Sequence, residues 1–185
     1  MDGLIVRIVD ASEGTFTNSD DASRIKRVQL TDENDNVSLK GYILKIYGLD
    51  RSEFLDLTTA LLYENGWKRV EDSVTQLEKD EVLDFLFDDY SEEYEYIFYT
   101  EELLVKESER NKGLGKQMLD RIPTVIKDNT GIEISLMLHH AASLDAESIY
   151  TQDALCKIYE QFGFNLVPET DTLFYMHFVF EEYID

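Results

Sequence analysis

The residues with the clearest chemical potential stand where an apolar stretch meets two closely spaced glycines. Residues 103–105 are apolar, a charged turn follows, and Gly113 and Gly115 then open a segment with helical spacing. The first N–H groups of a helix lack internal partners and carry the positive end of the helix dipole, so they bind phosphate. Glycine admits a pyrophosphate where a Cβ would block it. The pattern predicts an anion site whose rim carries Arg110, Lys112 and Lys116.

Two other phosphate-binding loops fit this segment less well. A Walker loop requires glycine where Arg110 stands, and serine or threonine where Gln117 stands. A dinucleotide fingerprint requires a small third residue, but that position is Met118. The segment therefore indicates an anion site of a different kind.

The distribution of charge supports a bound polyanion at the same place. The chain has 39 acidic and 17 basic residues and a formal net charge of −22. Residues 78–102 contain eleven acidic side chains and one lysine, whereas residues 106–127 contain six basic side chains against three acidic ones. A basic segment in so acidic a chain is explained by a polyanion that it binds.

The net acidity excludes some partners and favours others. Phosphate contacts need Lys and Arg, so we expect neither nucleic acid nor an anionic membrane surface as a partner. Cations are favoured, such as a polyamine, an aminoglycoside or a protein amine. A second interpretation stays open, in which the acidity only keeps the protein in solution.

Composition also limits the class of protein. The 185 residues, 43% of them hydrophobic, suffice for one core. No apolar run approaches the ~20 residues of a membrane span. The first residues lack the features of a signal peptide, so the sequence predicts a cytoplasmic protein. Cys156 is the only cysteine, which excludes an internal disulfide and a cysteine metal cluster, and we expect no bound metal.

The first half of the chain predicts strands followed by helices. β-Branched runs predict three strands, at residues 4–9, 27–30 and 38–47. Residues 11–23 are polar and predict a loop. Apolar residues at helical spacing predict helices over residues 52–63 and 74–87.

The second half predicts alternating strands and helices. A β-prone run covers residues 94–105, and a helix starts at Leu114, with a kink or an early end at Pro123. A strand at 132–138 and a polar segment at 139–151 follow, and then a short helix that Gly163 caps. The chain closes with a strand pair, at residues 164–167 and 172–180. This order is a βαβ crossover followed by antiparallel strands, so we expect an α/β fold with a mixed central sheet and helices on both faces.

The glycine motif resembles the signature of the GNAT N-acetyltransferases, Arg/Gln-x-x-Gly-x-Gly/Ala after a strand. It is spelled here by Arg110-Asn111-Lys112-Gly113-Leu114-Gly115, and the preceding Leu103 and Val105 match the family's approach to it. Downstream, Tyr159-Glu160-Gln161-Phe162-Gly163-Phe164 is similar to the family's Tyr-x-x-x-Gly-Phe. The resemblance implies a GNAT fold in one domain over residues 1–185. Residues 94–180 would bind acetyl-CoA and residues 1–93 would form a divergent acceptor-side half.

The resemblance also implies roles for individual residues of an acetyl-CoA-dependent N-acetyltransferase, in which the amine attacks the bound thioester directly. The main chain of residues 103–105 would pair with the pantetheine arm, and the Val105 N–H would hold the developing oxyanion. Tyr159 would protonate the departing thiolate, although a core tyrosine is the alternative interpretation. The implied cofactor-binding residues are Leu103, Leu104, Val105, Arg110, Asn111, Lys112, Gly113, Leu114, Gly115 and Lys116.

Glu101 and Glu102 are the candidates for the catalytic base. The strand from Tyr99 to Val105 is similar to that of the diamine acetyltransferases, whose acidic pair lies there. An attacking ammonium, with a pKa near ~10, must lose a proton. Side chains alternate across a strand, so only one of the two glutamates can face the amine. The alternative is that both merely belong to the acidic stretch.

Several other residues receive less weight. His139 and His140 close a strand and are candidates for contact with the acceptor, but adjacent strand residues point to opposite faces and do not share a metal. Cys156 is interpreted as a small core residue. Gln152 replaces an asparagine that many family members have, and the long segment 139–151 is a candidate flap over the acceptor site.

Two readings compete with the enzyme. A GNAT-fold module that binds coenzyme A or a protein partner, with weak or no catalysis, would fit Gln152 and Pro123. An acidic decoy that mimics the charge of DNA is disfavoured by the glycine motif and its basic residues. A homodimer is compatible with the sequence, which does not identify the amine.

Overall fold

The computed structural model describes residues 4–10, 23–61, 75, 77–89, 94–141 and 151–178. Seven strands form one sheet in the order β1-β2-β3-β4-β5-β7-β6. The strands are β1 (Leu4–Asp10), β2 (Ile25–Asp32), β3 (Val37–Lys45), β4 (Tyr96–Val105), β5 (Leu136–His140), β6 (Asn165–Leu166) and β7 (Leu173–His177). Strands from both halves of the chain therefore share one sheet.

The sheet is mixed, as predicted. β4 and β5 are parallel, and every other neighbouring pair is antiparallel. The connection between the two parallel strands carries the helix α3 (Leu114–Thr130). The predicted βαβ crossover is confirmed.

Helices cover both faces of the sheet. On one face α1 (Arg51–Leu61) and α2 (Asp80–Asp84) bury side chains such as Phe54 and Val82 in a first apolar cluster. On the other, α3 and α4 (Gln152–Gln161) contribute Met118 and Tyr159 to a second cluster. Alternate strand residues feed the two clusters, because successive side chains of a strand point to opposite faces. In the described part of the chain, no helix has the length and apolarity to cross a membrane.

The expected single helix over residues 74–87 is interrupted. The backbone at Lys79 is extended, with ψ 139°, and α2 begins only at Asp80. The chain then runs into a wider helical turn, Phe85–Asp89. The prediction of one continuous helix is wrong at Lys79. Leu77 and Val82, which lie on either side of the interruption, are both buried in the first cluster.

Of the two outcomes predicted at Pro123, a kink or an early end of α3, the early end is wrong. α3 continues to Thr130, and Gly131 then caps it with a left-handed φ of 73°. Proline inside a helix removes one hydrogen bond and costs about 3 kcal/mol. Pro123 itself is buried beside Ile122 and Ile126, so packing of the apolar face against the sheet offsets that cost.

Some element limits differ from those predicted. β5 starts at Leu136 rather than residue 132 and extends through His140, which brings both histidines into the sheet. β6 and β7 pair antiparallel, as the predicted closing strand pair requires. Almost all of the expected loop at 11–23, the end of the first predicted helix after residue 61, and most of the segment 139–151 lie outside the described residues.

A β-bulge interrupts the pairing of β3 with β4. Lys40 pairs with Glu102, but the next β3 residue, Gly41, pairs with Thr100, so Glu101 is an extra residue on β4. Such a bulge bends its strand and raises the local twist. Gly41 makes the close approach possible, since a Cβ there would lie 2.4 Å from Phe98 Cζ and 2.5 Å from the Tyr99 carbonyl oxygen.

We expect Gly41→Ala to destabilise the protein by about 1–3 kcal/mol, because a backbone oxygen cannot move aside as a side chain can. Urea unfolding would measure the loss. Gly115→Ala is the matched control, since a Cβ there would meet only ordinary contacts of 3.6 Å. Equal stability of the two variants would contradict the assigned role of Gly41.

Candidate active site

The candidate site is the opening where β4 and β5 separate. The two strands are paired from Ile97 with Leu136 to Thr100 with His139, and the pairing stops there. β4 runs on to Val105 along β3, while β5 stays paired with β7. Beyond the bulge, residues 101–105 therefore have no β5 partner among the described residues, and one edge of β4 is open.

The open edge presents the main chain of alternate residues. The Lys106 N–H donates to the Asn36 carbonyl oxygen at 2.9 Å, so Lys106 faces β3. In an antiparallel ladder the next residue faces the other way. The polar main-chain groups of Leu103 and Val105 therefore face the opening, whereas those of Leu104 face β3. Of the three residues predicted to pair with the pantetheine arm, only Leu103 and Val105 are oriented for it.

The glycine turn places the start of α3 beside this edge. Asn111 and Gly113 have left-handed φ values of 63° and 78°, which turn the chain into the helix. The first helical hydrogen bond runs from the Gln117 N–H to the Gly113 carbonyl oxygen, 3.0 Å, so the preceding N–H groups have no partner within the helix. Gly115 faces the end of β4, since a Cβ on it would lie 3.6 Å from both Leu103 and Val105.

The three predicted rim cations are all engaged. Lys112 pairs with Glu109 at 2.9 Å, and Lys116 pairs with Asp120 at 2.8 Å. Arg110 folds back, and its Nε donates to the Val105 carbonyl oxygen at 3.3 Å. Exposed ion pairs of this kind contribute about 0–1 kcal/mol to the stability of a protein, so a bound polyanion can compete with Glu109 and Asp120 for the two lysines.

Tyr159 lies in an aromatic cluster at the closed end of the opening. It projects from α4, is 8% exposed, and its ring centroid lies 4.0 Å from that of His139. Phe164 and Phe174 follow at 5.8 and 6.1 Å. Burial raises the pKa of the Tyr159 phenol above its usual value, so the hydroxyl keeps its proton at neutral pH.

His139, which received little weight from the sequence, lies inside the candidate site and packs against Tyr159. It is 4% exposed, and its burial, assisted by the charge of His140, lowers the pKa of His139 to about 3. The imidazole is therefore neutral at pH 7. Its Nδ1 has no hydrogen-bond partner among the described residues. The only signal in the sequence was its place on the strand after the glycine helix.

The glutamate pair is separated by the bulge rather than by strand alternation. Glu101 is the extra, half-buried residue. Leu103 and Val105 pack on the side of α3, so Glu102, between Thr100 and Leu103, lies on the opposite side with Leu104. There its carboxylate pairs with Lys40 Nζ at 2.9 Å. Sequence reasoning did not include Lys40, which lies 62 residues away and reaches Glu102 only through strand register.

The start of α4 is tied to the end of β5. The Thr151 side chain caps the helix by accepting a hydrogen bond from the Ala154 N–H, 3.2 Å. Gln152 Nε2 donates to the carbonyl oxygen of Ala141, directly after β5. Cys156 is half-buried and packs against the second cluster, at the margin of the core rather than within it as predicted. Within the described ranges, no group of His, Cys, Asp or Glu side chains is arranged to hold a metal ion.

Comparison with known proteins identifies the fold. No protein-family model matches the sequence, and no curated protein does. An agmatine N-acetyltransferase, a mutant in its apo form, is similar over 95% of this chain and 100% of its own, with a TM-score of 0.50 and 11% identity. A polyamine N-acetyltransferase of Drosophila melanogaster gives 0.49 and 11% over the same shares. The predicted GNAT fold is confirmed.

We expect the buried His139 to destabilise the protein in acid. Its pKa is about 3 when folded and about 6.5 when unfolded. Its contribution is therefore fully present above pH 6.5 and falls as the pH drops towards 3. At pH 4.5 the loss should be about 2–3 kcal/mol. Denaturant unfolding from pH 7.5 to 4.5, compared with His139→Phe, isolates this residue because the carboxylates titrate in both proteins. If the free energy of unfolding falls equally with pH in both proteins, His139 is not the group responsible.

Proposed function

We propose that this protein is an N-acetyltransferase that moves an acetyl group from acetyl-CoA to a primary amine by direct attack in a ternary complex. Bound acetyl-CoA would supply the activated acetyl group. The observation that carries the proposal is the opening between β4 and β5, which has the start of α3 at one end and Tyr159 at the other. A GNAT fold alone does not assign an activity.

The start of α3 would hold the pyrophosphate. Three N–H groups of the first turn lack helical partners, and the helix dipole favours an anion there. A Cβ at Gly115 would meet nothing closer than 3.6 Å, so the protein's own packing does not demand glycine at this position. A ligand that approaches the backbone is a sufficient reason for it. Lys112 and Lys116 would exchange their carboxylate partners for phosphate oxygens.

The exposed edge of β4 would hold the pantetheine arm through main-chain hydrogen bonds, as an added strand does. Leu103 fits the role of oxyanion donor better than Val105. Val105 lies five residues beyond Thr100, about 16 Å along the strand at 3.2–3.4 Å per residue. Tyr159 packs against His139, the register partner of Thr100. The Leu103 N–H is the nearer open-edge donor to Tyr159, and it would stabilise charge on a thioester oxygen there.

Tyr159 would act as the general acid. Its raised pKa keeps the phenol protonated at neutral pH, so that a proton is available to the thiolate as that group departs. The rings of His139, Phe164 and Phe174, which pack against the Tyr159 side chain, are uncharged at pH 7. Contacts on several sides of the ring fix its direction.

The acceptor would be a cationic small molecule or peptide. The net charge of −22, rather than the likeness in fold, supports this class of substrate. Glu102 lies on the side of β4 opposite α3, where it would meet the acceptor, and Glu101 lies at the bulge itself. Glu102 is held by Lys40, so Glu102 would bind a substrate ammonium only in exchange for Lys40.

We expect Gly115→Glu to abolish binding of acetyl-CoA and of coenzyme A without destabilising the fold. A carboxylate in the first turn of a helix interacts favourably with the helix dipole, so it does not destabilise the helix, but it repels a pyrophosphate. Isothermal titration and thermal unfolding of the same samples would measure both effects. Gly115→Gln is the matched control, since it adds similar bulk without charge and should bind more tightly than the glutamate variant. Unaltered affinity in Gly115→Glu would refute the pyrophosphate site.

We expect Tyr159→Phe to slow thiol release by at least about a hundredfold while the affinity for acetyl-CoA changes little. The loss follows because phenylalanine fills the same aromatic cluster but cannot donate a proton. The measurement is thiol release over a panel of diamines, aminoglycosides and peptide amines, beside acetyl-CoA titration. Full turnover in this variant would remove the acid role. Tight acetyl-CoA binding by the unaltered protein without thiol release from any amine would identify a binding module instead.

A further inference from the structure

Two buried polar side chains meet where β4 and β5 separate. Thr100 and His139 are register partners in the last pair of the parallel ladder. Thr100 is 1% and His139 is 4% exposed. Within the part of the chain that the structure describes, neither Thr100 Oγ1 nor His139 Nδ1 has a hydrogen-bond partner.

Both side chains lie on the face of the sheet that α3 and α4 cover. His139 stacks on Tyr159 of the second cluster, and Thr100 follows Phe98 of that cluster by two residues along β4. Cross-strand neighbours have Cβ atoms about 5 Å apart. The two polar groups are therefore neighbours that do not hydrogen-bond to each other. One acceptor atom placed between them could accept a hydrogen bond from each.

A buried polar group without a partner is unfavourable, and native proteins keep few of them. Two such groups side by side, at the closed end of an open strand edge, indicate a site that a ligand completes. We propose that Thr100 Oγ1 and His139 Nδ1 together bind a carbonyl oxygen of the acyl-pantetheine arm of acetyl-CoA. This inference rests on the proposed function. The threonine hydroxyl and the neutral imidazole, in the tautomer protonated at Nδ1, each donate one hydrogen bond.

The surroundings favour a neutral ligand group over an ammonium. Burial and His140 disfavour positive charge on His139, and the same forces act on an amine placed beside it. A carbonyl oxygen carries no formal charge and accepts from two donors at once. The acceptor amine is therefore assigned to the Glu102 side of β4, and the carbonyl to this side.

The decisive variant is Thr100→Val, which keeps the shape of the side chain and removes the hydroxyl. We expect the apo protein to gain thermal stability, because a buried hydroxyl without a partner is lost. We expect acetyl-CoA to bind about fivefold to tenfold more weakly, because one hydrogen bond is lost. Thr100→Ser should retain most of the affinity. Titration calorimetry and apo thermal unfolding provide the two readouts.

Thr58→Val is the matched control. Thr58 is equally buried, but its hydroxyl has acceptors for its one proton, the Leu55 carbonyl oxygen at 3.0 Å and a Glu78 carboxylate oxygen at 2.9 Å. Its loss should lower apo stability and leave acetyl-CoA affinity unchanged. Adenosine 3′,5′-bisphosphate, which lacks the arm, should bind Thr100→Val and the unaltered protein equally. If Thr100→Val loses affinity for both coenzyme A and acetyl-CoA, the bound oxygen belongs to an amide of the pantetheine arm. If it loses affinity for acetyl-CoA alone, the bound oxygen is that of the thioester.

Several results would overturn the inference. Lower apo stability or misfolding of Thr100→Val would show that the hydroxyl serves the fold, for example through a resident water. Unchanged acetyl-CoA affinity in Thr100→Val would remove the subsite while the proposed function stands. His139→Phe keeps a ring against Tyr159 and should weaken acetyl-CoA as Thr100→Val does, and unchanged affinity would exclude Nδ1. If the unaltered protein binds neither thioester nor coenzyme A, the proposed function and this inference fail together.

Discussion

The feature on which the rest of the site depends is the interruption of main-chain pairing along β4. Up to Thr100 the strand has neighbours on both sides, and after Glu101 its only partner among the described strands is β3. A bulge changes the direction of a strand, so β4 leaves β5 where the extra residue stands. The freed edge carries donors and acceptors that no other described strand satisfies. A ligand with amide groups along a flexible arm has matching chemistry.

Packing on the two faces keeps this opening from closing. On one side, α3 rests on the end of β4 through Gly115 and its apolar face fills the second cluster. On the other, the first cluster joins α1 and α2 to the same strands. The glycine at position 41 admits the Phe98 ring and lets the bulge form beside it. Stability and site geometry thus share the same few contacts around residues 98–105.

Local signals predicted much of the fold from the sequence. Apolar periodicity and the glycine turn located β4, α3 and α4 within a few residues, because each helix carries an apolar stripe and β4 is a continuous run of β-prone residues. The same reasoning failed at Lys79, and the early end that it allowed at Pro123 does not occur. At both positions the burial of neighbouring apolar residues outweighs local backbone preference, and burial depends on contacts that are distant in sequence.

The sequence by itself determined the chemistry available: two glycines before a helix, a tyrosine near the end of another, and a large excess of acid. Only the tertiary structure decided which groups meet. Strand register brought Lys40 to Glu102 and Thr100 to His139, and the pairing of β4 with β3 turned the Leu104 main chain away from the opening. Register is set by the pairing of whole strands, so no local pattern of residue types reveals it.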